Sequence, residues 1–349
     1  MWFIGLLVFI LILGIIILVH EFGHYIMAKK SGVYIYEFSI GMGPVVYSHK
    51  GKDGIDYNLR AFPIGGFVQM AGEIYEDDGE IPKEKFLCNR PALQRFCVLV
   101  AGVFNNFVLA LLCLFIISFI WGPQNEKAII SGVQEGSAAE KSGIRSGDEL
   151  IGVNNHDFSS WDVGQLYLYF KYDSNEYEFK LRREDGNIET IKITPNIETL
   201  DGGEERKVFG IQIDTKQEKN FINCLKYPFI KFKNMLLSMI ITLKGLFTGG
   251  LSIKNLSGPV GIYQVVNQSL SLGISQLIYT LALLSLNVGF INILPFPAFD
   301  GGHVLFMIIE KIKGSKINSK IENAFTMVGF ILLMLLMIFI TFQDIINLF

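Results

Sequence analysis

Four stretches of this chain run without a charged residue for long enough to cross a lipid bilayer, and nothing else in the sequence restricts its fold so severely. They are residues 2–19, 96–121, 270–299 and 324–342. In hydrocarbon the backbone must satisfy its own hydrogen bonds, so each run predicts a helix. The first has 18 residues and would span about 27 Å as a helix. Its uncharged start and the absence of a small-residue cleavage site argue for a retained span rather than a leader. Half of the 349 residues are hydrophobic, and the net charge of −3 gives no electrostatic basis for binding nucleic acid. The four cysteines, Cys88, Cys97, Cys113 and Cys224, have no C-x-x-C spacing and read as free thiols or packing residues.

A fifth apolar segment, residues 227–247, carries Lys231, Lys233 and Lys244. That suits an amphipathic helix in the membrane interface better than a span. Charge bias supports the choice. Lys29, Lys30, Arg90 and Arg95 flank the connection between the first two spans, and Lys311, Lys313, Lys316 and Lys320 fill the last connection. The positive-inside rule puts both connections in the cytoplasm, and residues 122–269 and both termini outside.

The first apolar run ends in His20-Glu21-Phe22-Gly23-His24. Residues four apart share a helix face, so the two imidazoles can meet one ion, and Glu21 can reach a water beside it. This is the spacing of a zinc hydrolase. Ionisable groups in or beside a membrane span are costly and mark function. A catalytic zinc takes three protein ligands and leaves one position open. Asp300, the one acid between Glu218 and Glu310, lies on this topology at the same membrane end as His24. Asp300-Gly301-Gly302 is also good turn chemistry, and His303 is a rival ligand. His49 and His156 lie in polar, turn-rich contexts and are not read as ligands.

The chain resembles the site-2 protease family (peptidase M50), close to the bacterial regulator of sigma-E protease group. The resemblance rests on residues 20–24, on Phe299-Asp300-Gly301-Gly302 (with Phe where the family has Leu), and on Asn292 eight residues earlier. It also rests on Gly41-Met42-Gly43-Pro44, Pro63-Ile64-Gly65-Gly66-Phe67-Val68, Ala101-Gly102-Val103-Phe104-Asn105-Asn106 and Leu256-Ser257-Gly258-Pro259-Val260-Gly261. It implies one zinc ion on His20, His24 and Asp300, with Glu21 as base and Asn292 at the substrate. It further implies cleavage of transmembrane segments of single-span proteins, such as pre-trimmed anti-sigma factors or residual signal peptides, in a bacterial cytoplasmic membrane. Polar helix–helix contact is the alternative role for Asn292 and the preferred one for Asn106.

Residues 136–151, Gly-Ser-Ala-Ala-Glu-Lys-Ser-Gly-Ile-Arg-Ser-Gly-Asp-Glu-Leu-Ile, resemble the bacterial PDZ signature, and one such domain is counted. PDZ domains accept an extended peptide or C-terminus at a sheet edge; a spacer or size filter is the alternative. Within this α+β unit the pattern predicts strands at 127–133, 148–154 and 208–213, helices at 136–143 and 161–172, and a hairpin on Tyr177, Phe179 and Leu181 turning at 184–187. Short strands at 45–47 and 57–59 flank a turn at 51–54, and Glu76-Asp77-Asp78 reads as a solvated acidic patch.

The expected architecture is a polytopic α-helical membrane protein of four transmembrane helices, with a membrane-associated β-rich segment and one inserted PDZ domain. In segments it reads 1–30 span one with the zinc motif, 31–92 β-rich, 93–122 span two, 123–216 PDZ and 217–269 interfacial. Then follow 270–303 span three with the Asp-Gly motif, 304–323 a cytoplasmic loop and 324–349 span four. A non-catalytic membrane scaffold, using the PDZ domain as a peptide receptor, is the competing function.

Overall fold

The computed structural model describes residues 2–72, 81–170, 175–199, 205–251 and 256–346. In chain order the elements are α1 (Trp2–Lys30), β1 (Ile35–Lys50), β2 (Asp56–Met70), two 3-10 turns, α2 (Ala92–Ile120), β3 (Gln124–Val133), α3 (Ala138–Lys141), β4 (Glu149–Val153), β5 (His156–Asp157) and α4 (Trp161–Tyr169). They continue with β6 (Tyr177–Arg182), β7 (Ile188–Ile193), β8 (Asn196–Thr199), β9 (Glu205–Val208), β10 (Ile211–Lys216), α5 (Phe221–Phe247), α6 (Pro259–Leu272), α7 (Ile274–Ile293), α8 (Asp300–Lys313) and α9 (Ser319–Ile346). Two compact units emerge, one from residues 1–113 and 256–349, the other from 114–255. The acidic patch expected at Glu76-Asp77-Asp78 lies outside the described residues.

Among the described residues, α1, α2, α7 and α9 are the four helices long and apolar enough to cross a membrane. Helix α1 is apolar along most of its length, so burial rather than polarity distinguishes its faces. Gly5, Ile12, Ile16, His20, Gly23 and His24 form its buried stripe, the three-and-four spacing of one helix face. The stripe therefore carries both histidines inward.

Strands β1 and β2 are much longer than the short strands expected at 45–47 and 57–59. The turn sits where expected, with Gly54 at φ 83°. The pairing folds back on itself. Phe38 lies opposite both Val68 and Tyr57, and Ile40 opposite both Gly66 and Leu59, while residues 45–50 pair with 56–60. The first half of β1 is thus flanked on both sides. That non-local pairing carries no signal in a local periodicity, which explains the underestimate. Glu37, Arg60, Ser39 and Asn58 form a hydrogen-bonded network across these strands.

The structure subdivides three of the expected segments. The third span is one helix only over Ile274–Ile293: Gly273, at φ 105°, separates it from α6. Pro295 drives Leu294 to ψ 142° and ends the helix. Asp300 therefore does not finish the span but opens a separate helix, α8. Residues 304–323, expected as a loop, are helical to Lys313, where Gly314 closes α8 in the left-handed region, and helical again from Ser319. Leu305, Ile308, Ile309 and Ile312 recur at helical spacing among the lysines of α8, a pattern the charge count obscured. The interfacial segment 217–269 likewise holds two helices, α5 and α6.

The second unit is α+β. Its sheet runs β10-β3-β4-β6-β7, with β5 on β4. Tyr177, Phe179 and Leu181 alternate into a core with Ile130, Leu150 and Ile193, as the period of two requires. The helix expected at 136–143 contracts to α3, capped by Ser137 accepting from the Glu140 amide. The strand expected at 208–213 is broken at Gly210, φ 78°, into β9 and β10. Helix α4 stops at Tyr169, short of 172, and residues 171–174 lie outside the described ones. Helix α5 is not among the span-capable helices. It buries Lys231 between Glu126 at 3.1 Å and Asp162 at 2.7 Å, and Asn234 donates to Glu126 at 2.9 Å. Burial pushes the Glu126 carboxyl up, and the Lys231 ammonium draws it back.

Candidate metal centre

Two glycines let α1 and α2 cross with their backbones in contact. A Cβ on Gly23 would collide with the Ala101 carbonyl and the Gly102 amide. A Cβ on Gly102 would lie 2.7 Å from His20 Nε2 and closer still to His24 Nε2. Small residues are what allow helices to approach this closely in a membrane. The crossing places the next turn of α2 against the first histidine. Asn105 donates to the Val19 carbonyl at 3.1 Å, and the Asn106 amide lies 3.3 Å from His20 Nδ1.

Asp300 reaches the histidines from α8. Gly301 packs under the Ile293 and Leu294 carbonyls, and Gly302 under that of Phe296. A side chain at either position would push the helix start away. The carboxylate sits in the first turn of α8, where the unpaired amides and the helix dipole favour negative charge. Gly301 and Gly302 are thus required here for packing.

His20 Nε2 and His24 Nε2 are 3.2 Å apart, and Asp300 Oδ2 lies 3.1 Å from the first and 3.4 Å from the second. Both histidines are 7% exposed. Bonds of about 2.0–2.1 Å at tetrahedral angles separate ligand atoms by about 3.3–3.4 Å, so the triangle has the dimensions of one face of a zinc tetrahedron. The donor set agrees. His24 Nδ1 meets the Val98 carbonyl at 2.8 Å. A carbonyl only accepts, so Nδ1 carries the proton and the Nε2 lone pair faces the triangle. Asp300 Oδ2 is buried and faces the two Nε2 atoms without a hydrogen bond among the described residues. Such a buried, converging set of lone pairs fits a divalent cation. Among the described residues, these three form the one His/Cys/Asp/Glu group able to hold a metal.

Glu21 is half-buried on the neighbouring face of α1. A Cβ on Gly66 would lie 3.6 Å from its Cγ. One edge of the β1–β2 sheet thus runs past the carboxylate that follows the first histidine.

The other expected residues sort clearly. His303 faces Glu322 at 3.2 Å and lies outside the triangle. His156 stacks on Tyr167 with centroids 4.3 Å apart. Asn292 is half-buried in the last turn of α7 and is not a member of the triangle. Asn106, read from the sequence as a helix–helix contact, does join helices, its carbonyl accepting from Ser285 Oγ at 2.9 Å. Its side chain, however, meets a ring of the triangle. The signal available in the sequence was Gly102-x-x-x-Asn106, one turn apart on the face of α2 that meets the histidine motif.

Comparison with known proteins bears on the same residues. Peptidase family M50 matches residues 8–336. The zinc metalloprotease RasP of Shouchella clausii is 31% identical over 99% of both chains. A provisionally named zinc metalloprotease of Clostridium acetobutylicum is 31% identical over 99% of this chain and 98% of its own length. Another, from Fusobacterium nucleatum, is 34% identical over 98% and 99%. A motif of H-E-x-x-H spacing on an apolar helix, an acid brought to it from α8 and a family match across nearly the whole length agree, and the chain belongs to peptidase family M50, the zinc metalloproteases of the site-2 protease type.

Proposed function

We propose that this protein is a zinc-dependent intramembrane protease that cleaves transmembrane segments of single-span membrane proteins, such as pre-trimmed anti-sigma factors or residual signal peptides. The observation that carries the proposal is the buried triangle of His20, His24 and Asp300 on helices of membrane-spanning character. In this reading those three residues hold the zinc, which supplies a Lewis acid able to make water nucleophilic at neutral pH and to polarise a peptide carbonyl.

The protein's own residues supply the rest. Glu21, next to the first ligand, takes the proton of the attacking water and passes it to the leaving amine. Val98 holds His24 in the tautomer that leaves Nε2 for the metal. A peptide bond within a substrate helix is screened by its own hydrogen bonds and neighbours. The segment of β2 beside Glu21 offers a strand edge on which the substrate can be held extended. Asn292 hydrogen-bonds the substrate backbone. Water reaches the site through a polar opening on the cytoplasmic side.

The charge distribution supports a multi-pass protein of the bacterial cytoplasmic membrane, with the site near the cytoplasmic face and the α+β unit outside. The sequence at 136–151 supports reading that unit as a single PDZ domain, which binds a peptide end or excludes substrates whose outer part has not been removed. Helix α5 keeps large apolar side chains exposed, Phe221, Phe229 and Phe247 among them, which suits the membrane interface.

Glu21→Gln tests the assignment, with purified protein, a model transmembrane substrate and bound zinc measured together. Cleavage falls by about 10²–10⁴-fold while zinc remains bound. Cleavage at the wild-type rate would remove Glu21 from the mechanism, whereas a folded wild type that neither holds zinc nor cleaves would favour the scaffold role.

A further inference from the structure

We propose that Asn106 is a positioning residue that fixes the tautomer of His20 by accepting its Nδ1–H at the amide oxygen. This rests on the reading of His20 as a zinc ligand through Nε2. The amide of Asn106 is wholly buried and 3.3 Å from His20 Nδ1. As placed, the amide nitrogen faces the ring and Oδ1 is buried without a partner. The two ends of an amide have the same shape, so its orientation is decided by hydrogen bonding.

A donating amide would leave the Nδ1 lone pair engaged and the proton on Nε2, the atom that points at His24 Nε2 and Asp300 Oδ2. A protonated Nε2 cannot ligate a metal. Rotating the amide puts its oxygen on Nδ1–H and frees the Nε2 lone pair. His24 already shows the equivalent arrangement with the Val98 carbonyl at 2.8 Å. Both histidines then have the same proton address, one set by a backbone carbonyl of α2 and the other by a side-chain carbonyl two turns further along. The side chain is held for this task. Asn106 sits on the α2 turn that Gly23 and Gly102 allow to approach α1, and its own backbone carbonyl is tied to Ser285 on α7.

The test is zinc affinity, measured by competition with a calibrated chelator on the full-length protein in detergent. Asn106→Asp keeps an acceptor at the ring and cannot donate, so it holds zinc at least as tightly as wild type. Asn106→Leu keeps the volume but removes the acceptor, and zinc binding weakens by about 10–100-fold, the range for outer-shell partners of ligand histidines. Wild-type affinity in Asn106→Leu, or a loss of tenfold or more in Asn106→Asp, overturns the proposal. Should Asn106→Leu not fold, the Asp variant alone decides which way the hydrogen bond runs. His24→Ala serves as the control on the site itself. If it binds zinc as wild type does, the ligand assignment has failed; if it loses zinc while Asn106→Leu does not, only the role of Asn106 has.

Discussion

Two buried polar clusters of similar size solve the same electrostatic problem in opposite ways. In the α+β unit, Lys231 of α5 lies between Glu126 and Asp162, 3.1 and 2.7 Å away. The chain supplies both signs of charge, and the cluster closes on itself. Around α1, His20, His24 and Asp300 bring two ring nitrogens and a carboxylate oxygen within 3.1–3.4 Å of one another, and no lysine or arginine of the described residues joins them in an ion pair. Buried groups that repel are stable only if something neutralises them. The first cluster is structural because it is complete; in the proposed reading the second is a receptor, its geometry suited to a cation from outside. Burial of charge by itself would not have told the two apart.

The comparison breaks most visibly if the metal is removed. Asp300→Asn takes the one formal negative charge from the triangle. Zinc affinity should then fall by more than the roughly 100-fold that loss of an outer-shell partner produces, and cleavage with it. A chelator should lower the thermal midpoint of the wild type and leave that of Asp300→Asn nearly unchanged, since binding to the folded state alone is what raises stability. Equal chelator sensitivity in both proteins would mean that the stabilising ion sits elsewhere.

Lys231→Met asks the complementary question. It strands two carboxylates, with Glu126 at 10% side-chain exposure, and should cost about 3–5 kcal/mol of stability. A chelator should not alter that cost, because this cluster needs no ion. Adding Glu126→Gln and Asp162→Asn should recover most of the loss, since apolar or neutral replacement of a whole buried ion cluster is close to neutral. A triple variant as unstable as Lys231→Met would show that Lys231 acts through packing rather than charge.

These two clusters were unequally legible in the sequence. His20 and His24 announce themselves because both lie on one helix, four residues apart, at the end of an uncharged run. Asp300 could be matched to them only through topology, since 275 residues of chain separate it from His24. Its place at the start of α8 was hidden because the uncharged run continues past Ile293 to Phe299. The helix in fact ends where Pro295 forbids it to continue. Lys231 was read as an argument against a span, which the helix assignment supports. Its partners Glu126 and Asp162 were invisible, because nothing local links β3, α4 and α5. Asn106 fell between: its position was noticed, but which ring it would meet depended on the register between α1 and α2. Gly23 and Gly102 set that register through backbone contact.

An exposed ion pair completes the series and should have the smallest effect. Lys29, at the end of α1, meets Asp53 in the β1–β2 turn at 2.7 Å, and Tyr57 donates to the same carboxylate at 2.9 Å. The Lys29 ammonium draws the Asp53 carboxyl down from the usual 3.8 to about 2. A carboxyl with a depressed folded-state pKa stabilises the fold above its unfolded value, and the benefit is lost as pH falls through about 4 towards 2. Water surrounds this pair, so its weight is that of a surface bridge. Thermal midpoints of wild type and Asp53→Asn should therefore differ slightly and by a constant amount from pH 7 down to about 5. The gap should begin to narrow near pH 4. A gap that held at pH 3 would mean that Asp53 works through turn geometry, accepting from the Ile55 amide at 3.4 Å, rather than through its charge. It would also place the turn outside the contrast between clusters that carry their own cation and the one that recruits it.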